Sequence, residues 1–130
     1  MNSDSGIVSI KLELFGIGTL EGEIIRYIAP LSADAIIEKF PLNRRGRFSF
    51  GSKDYWTLPG LGIFKGPNPK SLKDVEKGDI VYNPKTDELV ILLENIQMPN
   101  RVNKVGKVLS NLDLLLKARN GLNMKISKKS

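Results

Sequence analysis

The sequence has 130 residues and a formal net charge of +6, and it contains neither histidine nor cysteine. These absences exclude a Ser-His-Asp triad, a cysteine nucleophile and any metal site built from imidazole or thiolate ligands. With 41% hydrophobic and 26% charged residues, the composition is typical of a water-soluble domain that buries its own core.

The sequence predicts neither a targeting signal nor a membrane span. The first residues lack the charged and apolar stretches of a secretory signal, and the longest apolar run, residues 89–93, is too short to cross a bilayer. We therefore expect a cytoplasmic protein. Residues 1–6 are predicted to be a disordered N-terminus, residues 7–126 the folded domain and residues 127–130 a basic tail.

The first part of the chain predicts a β-hairpin followed by a short helix. Apolar and polar residues alternate over residues 7–15 and again over 20–28, and a Gly-Ile-Gly turn separates them, which predicts an antiparallel hairpin. Pro30 then precedes Ser32, a residue type that caps helix N-termini, and Pro41 ends the predicted helix. We interpret this helix as a lid over one opening of a barrel.

Short strands separated by Gly- and Pro-rich breakers fill the rest of the chain. The further predicted strands are residues 46–52, 55–58, 79–82, 89–93, 104–109 and 122–126. Loops are predicted at 59–70 and 94–101, and Asn111 is expected to cap a second short helix. About eight strands with two small helices favour a closed β-barrel over a sandwich.

Three segments carry a resemblance to a known family. Residues 29–35 (APLSADA) resemble the segment that opens the first helix of cyclophilins, and residues 78–83 (GDIVYN) and 105–108 (VGKV) resemble two cyclophilin strands. The ordered set is similar to cyclophilins and more closely to the compact cyclophilin-like proteins of archaea and bacteria. This resemblance implies a mainly β fold, a closed eight-stranded cyclophilin-like β-barrel capped by two short helices.

The resemblance also bears on catalysis. Cyclophilins place an Arg beside the prolyl amide, and that position falls on Trp56 in this chain, while the family's Gln falls near Glu88 or Leu89. The resemblance therefore implies that the catalytic Arg of prolyl isomerases is absent, although Arg45 or Arg47 from the preceding strand is a possible substitute. We expect no catalytic residue, no cofactor and no metal site.

A candidate ligand groove on the side of the barrel follows from the same alignment of strands. Its predicted residues are Arg45, Arg47, Asp54, Tyr55, Trp56 and Met98. Aromatic side chains supply large contact area at low entropy cost, but neighbours alternate across a strand, so one of the two aromatic residues is expected to face the core. The arginines and Asp54 form either an anion-binding edge or a solvated edge protected from aggregation by its charge.

The leading prediction is a binding module for a peptide or a small molecule. Two alternatives stay open, a slow or vestigial prolyl isomerase and a weak nucleic-acid binder that uses residues 44–47 and the Lys-rich tail. Since the excess charge lies mostly in those segments, we expect a solvated basic surface and neither nucleic acid nor a membrane as partner. The oligomeric state is open, because residues 61–64 fit either a dimer contact or a plug of the barrel.

Overall fold

The computed structural model describes residues 6–129, so the predicted disorder of residues 1–5 lies outside the described residues. Within this range the chain forms ten strands, one α-helix and one 3₁₀-helix. In chain order they are β1 (Ile7–Leu14), β2 (Gly18–Ile25), α1 (Pro30–Glu38), β3 (Leu42–Arg45), β4 (Arg47–Phe48), β5 (Tyr55–Leu58), β6 (Leu72–Val75), β7 (Asp79–Asn83), β8 (Glu88–Leu92), β9 (Ile96–Ser110), the 3₁₀-helix (Leu112–Lys117) and β10 (Asn123–Lys128).

The strands form one antiparallel sheet that is not closed by hydrogen bonds. Its order is β3-β10-β1-β2-β9-β7-β8-β5-β4, and β6 pairs with the first part of β9. The two edge strands, β3 and β4, are consecutive in the chain and are separated only by Gly46. The fold is therefore mainly β as predicted. The predicted closed barrel of eight strands is corrected to an open sheet of ten strands, whose two edge strands are connected through Gly46.

Two apolar clusters fill the two sides of the sheet. The main core lies inside the sheet and includes Leu12, Trp56 and Ile91, none of which has more than 1% exposure. A smaller second core lies on the outer face of β5, β7 and β8, where β6 and the start of β9 cover Val81 and Val90. Both faces of β7 and β8 are thus buried, which explains why apolar residues follow one another without alternation at positions 80–82 and 89–92.

The hairpin and the helix of the first part are confirmed, with one correction. β1 and β2 pair over their whole length, from Ile7 opposite Ile25 to Leu14 opposite Gly18. Helix α1 starts at Pro30, and no side chain caps it. The prediction of Ser32 as the cap is wrong because Ser32 lies inside the helix.

Strands β3, β6 and the first half of β9 were not predicted. Residues 94–101 were expected to be a loop, yet β9 begins at Ile96 and contains Pro99. Proline is tolerated there because this part of β9 pairs only with β6, and irregularly, so no ladder hydrogen bond is needed from Pro99. β10 also continues to Lys128, two residues into the predicted basic tail.

The second helix and the loop at 59–70 have defined structural roles. The helix is a 3₁₀-helix, and the Asn111 side chain does not cap it but donates to the Thr19 carbonyl at 3.1 Å. In the loop, Leu61 is buried in the main core, whereas Phe64 is 79% exposed. The side chain of Leu61 therefore helps to fill the interior enclosed by the sheet.

Candidate functional site

The candidate site is a cleft on the outer side of the sheet, beside β4, β5 and the turn that joins them. It has a volume of about 620 Å³ and is lined by Arg47, Phe48, Ser49, Phe50, Gly51, Tyr55, Thr57, Glu88 and Asn120. β4 and β5 are antiparallel, and Arg47 lies directly opposite Thr57. Cross-strand partners project from the same face of a sheet, so this pairing brings the guanidinium and the hydroxyl to one wall of the cleft.

An ion pair provides the charge of the cleft. Arg47 Nη2 donates to Glu88 Oε2 at 3.1 Å, and the Arg47 side chain is 60% exposed whereas that of Glu88 is 14% exposed. A guanidinium has five N–H donors in a planar fork, so the bond to Glu88 leaves most of them free for a ligand. A carboxylate or a carbonyl oxygen of a ligand is the natural acceptor for these donors.

The side chains of Tyr55 and Phe50 form the apolar part of the cleft. The ring of Phe48, which lies opposite Trp56 on the inner face of β4, packs behind it. The Phe48 ring packs edge-on against the Trp56 indole with ring centroids 4.9 Å apart, and the Lys53 ammonium lies 4.9 Å from the Phe48 ring centre. Tyr55 is half-buried, and Phe50 at the tip of the turn is fully exposed. The cleft therefore combines exposed aromatic surface with a cation, a combination suited to ligands that have an apolar group and a negative charge.

Side-chain hydrogen bonds fix the turn that carries Phe50. Ser49 Oγ accepts from the Asp54 backbone N–H at 3.1 Å, and Ser52 Oγ donates to Asp54 Oδ2 at 3.0 Å. On the other side, the Phe48 backbone N–H donates to Asn120 Oδ1 at 2.8 Å. These contacts hold the rim of the cleft without occupying its interior.

The structure brings some of the predicted site residues together and separates others. Arg47 and Tyr55 line the cleft, and Asp54 holds the turn beside it. Arg45 is exposed on β3 but does not line the cleft. Met98 is buried in the second core, in the cluster against which Tyr55 packs. Of the six predicted residues, Arg47 and Tyr55 line the cleft, so the observed site retains only part of the predicted groove.

Trp56 belongs to the core and has no exposed surface. Gly46 lies directly against the indole, so the ring is covered on the side where β3 joins β4. The alternation argument for Tyr55 and Trp56 holds in this respect, since one residue faces the cleft and the other the interior. A binding role for Trp56 would therefore be indirect, through its contact with Phe48.

Seven of the nine cleft residues were not among the predicted set, and three of them, Thr57, Glu88 and Asn120, lie outside the segment 48–51. Thr57 shares a strand face with Tyr55, and its position two residues later was a usable signal. The resemblance puts the family's Gln near Glu88 or Leu89, and the pairing of Glu88 with Arg47 depends on β8 lying next to β5. Asn120 reaches the cleft from the segment after the 3₁₀-helix, and no sequence pattern indicates this.

A second cleft of about 600 Å³ lies at the turn between β1 and β2. Its lining includes Leu14, Phe15 and Ile17, and its charged residues are Glu13 and Lys125. None of the six predicted residues lies there. We take the cleft at Arg47 as the candidate site because it joins an ion pair to aromatic walls.

Asp87 is a buried carboxylate whose contacts are structural. Its oxygens accept hydrogen bonds from the Tyr82 hydroxyl at 2.6 Å and from three backbone N–H groups of residues 62–64. Burial raises the pKa of Asp87, but these hydrogen bonds together lower the pKa below its usual value. Burial and the bond to Asp87 raise the pKa of Tyr82 far above its usual value. Across residues 6–129, no group of three or more carboxylates is placed to hold a metal ion.

Comparison with solved structures defines the fold. The chain is similar to a hypothetical protein from Archaeoglobus fulgidus (TM-score 0.79, 15% identity, 99% of this chain and 100% of that one). It is also similar to McbB in complex with tryptophan (TM-score 0.77, 14% identity, 93% of this chain and 45% of that one). A cyclophilin-type peptidyl-prolyl isomerase from Cryptosporidium parvum gives a TM-score of 0.65 at 11% identity, over 95% of this chain and 98% of that one.

These similarities establish a cyclophilin-like fold. No family model matches the chain, and no curated protein matches its sequence. None of the helices in the described part of the chain is long and apolar enough to cross a membrane.

Proposed function

We propose that this protein is a binding module whose ligand occupies the cleft between Arg47, Tyr55 and Glu88. The observation that carries the proposal is the Arg47–Glu88 ion pair, which lies in a cleft with aromatic walls. A ligand carboxylate would take up the free donors of Arg47, and an apolar or aromatic group would pack against Tyr55 and Phe50. The bond to Glu88 already restricts the rotamers of Arg47. Less side-chain entropy is therefore lost when a ligand binds to Arg47.

The ligand class that fits is an aromatic amino acid or the C-terminal residue of a peptide. Both have a carboxylate next to a side chain, as the cleft requires. Two structures of the same fold support this class: McbB in complex with tryptophan, and the Cryptosporidium parvum cyclophilin in the presence of the dipeptide Ala-Pro, which has a TM-score of 0.64 at 12% identity. Since this chain spans 45% of McbB, only the ligand class is carried over.

Isothermal titration calorimetry with L-tryptophan and with Ala-Pro tests the proposal. We expect saturable binding of at least one of them, and a loss of about tenfold in affinity in Tyr55→Ala and in Arg47→Gln, which corresponds to one lost contact of moderate strength. Tyr27→Ala is the matched control, because Tyr27 is exposed and lies outside the cleft. Binding that is equally strong in all three variants, or no binding of either compound, would contradict the proposal.

A slow prolyl isomerase is the second candidate, and the position of Arg47 favours it. Arg47 is cross-strand to Thr57 and lines the same cleft as Tyr55. Its guanidinium could therefore donate to a twisted prolyl amide in place of the catalytic Arg, whose position the resemblance aligns with Trp56. Exchange NMR on the cis and trans signals of an Ala-Pro peptide measures this directly. Faster exchange that disappears in Arg47→Ala but persists in Arg45→Ala would support catalysis. Unchanged exchange with the wild-type protein would exclude it and leave the binding proposal intact.

A further inference from the structure

Two groups of basic residues that are distant in the sequence lie side by side in the fold. The backbone N–H of Gly121 donates to the Gly46 carbonyl at 2.7 Å, and the Lys53 ammonium donates to the Leu116 carbonyl at 3.0 Å. These contacts join the segment 44–53 to the segment 116–122. We name the combined patch the basic surface; its members are Arg45, Arg47, Lys53, Lys117 and Arg119. Arg44 is not a member, because it projects from the opposite face of β3 and donates to the Gly60 carbonyl.

Most of the charge on the basic surface is not neutralised. Among residues 6–129, Arg47 is the member of this patch that forms an ion pair, with Glu88. Arg45, Lys117 and Arg119 are exposed, and no ion pair within the described part of the chain includes them. A charged edge that serves only to prevent aggregation requires no such convergence of two segments, and a cluster of unpaired cations attracts polyanions.

Phe50 stands beside this charge. It is fully exposed, and the hydrogen bonds of Ser49, Ser52 and Asp54 hold the turn that carries it. A large aromatic side chain held away from the core at the tip of an ordered turn offers both ring faces to a partner. Nucleic-acid bases stack on such rings, and each stacked base adds appreciable affinity without sequence preference.

We propose that the basic surface and Phe50 together bind single-stranded nucleic acid, with phosphates on the cations and a base stacked on Phe50. A single strand is favoured over an anionic membrane because polar residues lie near Phe50: Ser49 and Asn120 line the same cleft, and Ser52 belongs to the same turn. These groups suit the edges of bases but would be costly to insert among lipid chains. Arg47 and Phe50 belong to both this surface and the cleft. The proposal nevertheless does not rest on the ligand proposed for the cleft, because Arg45, Lys117 and Arg119 lie outside it.

Fluorescence anisotropy with a labelled oligouridylate of about 12 nucleotides tests the proposal. If four cations contact phosphates, the plot of log affinity against log salt has a slope of about −3, since each neutralised phosphate of a single strand contributes about −0.7. The double variant Arg45→Gln/Arg119→Gln should reduce the steepness of that slope by about 1.4. Its control, Lys70→Gln/Lys73→Gln, removes the same charge from exposed positions before and within β6 and should leave the slope unchanged.

Phe50 is tested separately from the charge. Phe50→Ala should weaken binding about fivefold or more without changing the salt slope, because stacking does not release counterions. In Phe50→Trp, the oligonucleotide should quench the emission of the new indole, while the buried Trp56 contributes a constant background. Circular dichroism of each variant checks the fold, which these exposed substitutions should not disturb.

The outcomes separate the proposal from its competitors. Binding that depends on salt, on Arg45 with Arg119, and on Phe50 supports it. No binding of the oligonucleotide at low salt overturns it, and so does binding that is insensitive to both sets of substitutions. Sedimentation with phosphatidylserine vesicles but not with the oligonucleotide would assign the basic surface to a membrane and would equally overturn the proposal. Loss of oligonucleotide binding leaves the calorimetric test of the cleft unaffected.

Discussion

Asp87 shows how one residue positions a whole loop. Its backbone has φ of 55°, and its carboxylate accepts hydrogen bonds from the N–H groups of Gly62, Ile63 and Phe64. The same carboxylate accepts from the Tyr82 hydroxyl, so the loop is tied to β7 inside the sheet. Leu61, immediately before these N–H groups, is thereby held in the main core.

Replacement of Asp87 by Asn should destabilise the protein and change its acid sensitivity. An amide NH₂ would face donors in place of one carboxylate oxygen, and we expect a loss of about 1–3 kcal/mol in the free energy of unfolding. The folded pKa of Asp87 is lower than its usual 3.8, so its stabilisation is complete above that pH and disappears as pH falls through the folded pKa. Urea unfolding at neutral pH and below about pH 4 measures both effects.

The control for this prediction is Asp74→Asn, since Asp74 is exposed. It should change the free energy of unfolding by no more than about 0.5 kcal/mol. If the wild type and Asp87→Asn lost stability in parallel as the pH fell, the Asp87 carboxylate would not be the anchor of the loop.

Gly46 connects β3 and β4, the two edge strands of the sheet. A Cβ added to it would overlap the Cε2 and Cζ2 atoms of Trp56. Its backbone also pairs with residues 121 and 122, through bonds of 2.7 and 2.9 Å. The close approach of this backbone to the indole therefore requires glycine at this position.

Gly46→Ala should destabilise the protein by about 1–3 kcal/mol, because the methyl group overpacks a filled core. The unfolding transition followed by Trp56 fluorescence in urea measures the change. Gly66→Ala is the matched control, since a Cβ there meets no atom within 4 Å, and its stability should equal or slightly exceed that of the wild type. Equal midpoints for Gly46→Ala and the wild type would contradict the close packing of Gly46 on Trp56.

At the level of elements, a buried polar network attaches helix α1 to the sheet. Asn103 on β9 is fully buried, and its Nδ2 donates to Ser32 Oγ at 2.9 Å and to the Gly66 carbonyl at 3.0 Å. Its Oδ1 accepts from the Asn68 backbone N–H at 3.0 Å. One side chain thus links the helix, the irregular loop and the longest strand.

Asn103→Ala should loosen the helix and the loop together. The substitution leaves buried donors and acceptors without partners, which we expect to lower the free energy of unfolding by at least about 2 kcal/mol. Hydrogen exchange should become faster at Asn68 and in α1 and stay unchanged in the β1–β2 hairpin. Asn123→Ala, at an exposed position of β10, is the control. Uniform acceleration across the whole chain would show that Asn103 acts on global stability and not on this junction.

The sequence predicts best the elements whose two faces differ. The β1–β2 hairpin alternates between core and solvent, and its pattern indicates both strands and their pairing. β3 has a single buried residue, Leu42, among polar neighbours, so no alternation marks it as a strand. The start of β9 is a strand only because β6 pairs with it and the second core covers it, which is tertiary information that the local pattern around Pro99 does not contain.

At the scale of the whole molecule, the order of strands in the sheet decides what the site contains. Arg47 and Tyr55 are close in sequence and belong to adjacent strands, so a hairpin prediction brings them together. Glu88 joins them because β8 lies next to β5, and Asn120 joins them because the chain near Gly46 pairs with residues 121 and 122. The sequence therefore predicts the part of the site that depends on local pairing and not the part that depends on sheet topology.

The placement of the positive charge also depends on the fold and not on the local sequence pattern. The excess of positive residues is evident from composition, but the sequence distributes it between a segment near residue 45 and the C-terminal part. Only the fold shows that residues 117–119 lie beside residues 44–53. The expectation of a solvated basic surface rests on the sequence alone and stays a prediction, which the oligonucleotide titration tests.

An amide NMR titration of the ¹⁵N-labelled protein with L-tryptophan and with Ala-Pro shows most directly whether the cleft at Arg47 binds a ligand. We expect at least one compound to shift the signals of Arg47, Tyr55, Thr57 and Glu88, which share the cleft, and to leave residues 13–19 at the second cleft unchanged. Shifts confined to residues 13–19, or none with either compound, would contradict the assignment of the cleft at Arg47 as the binding site.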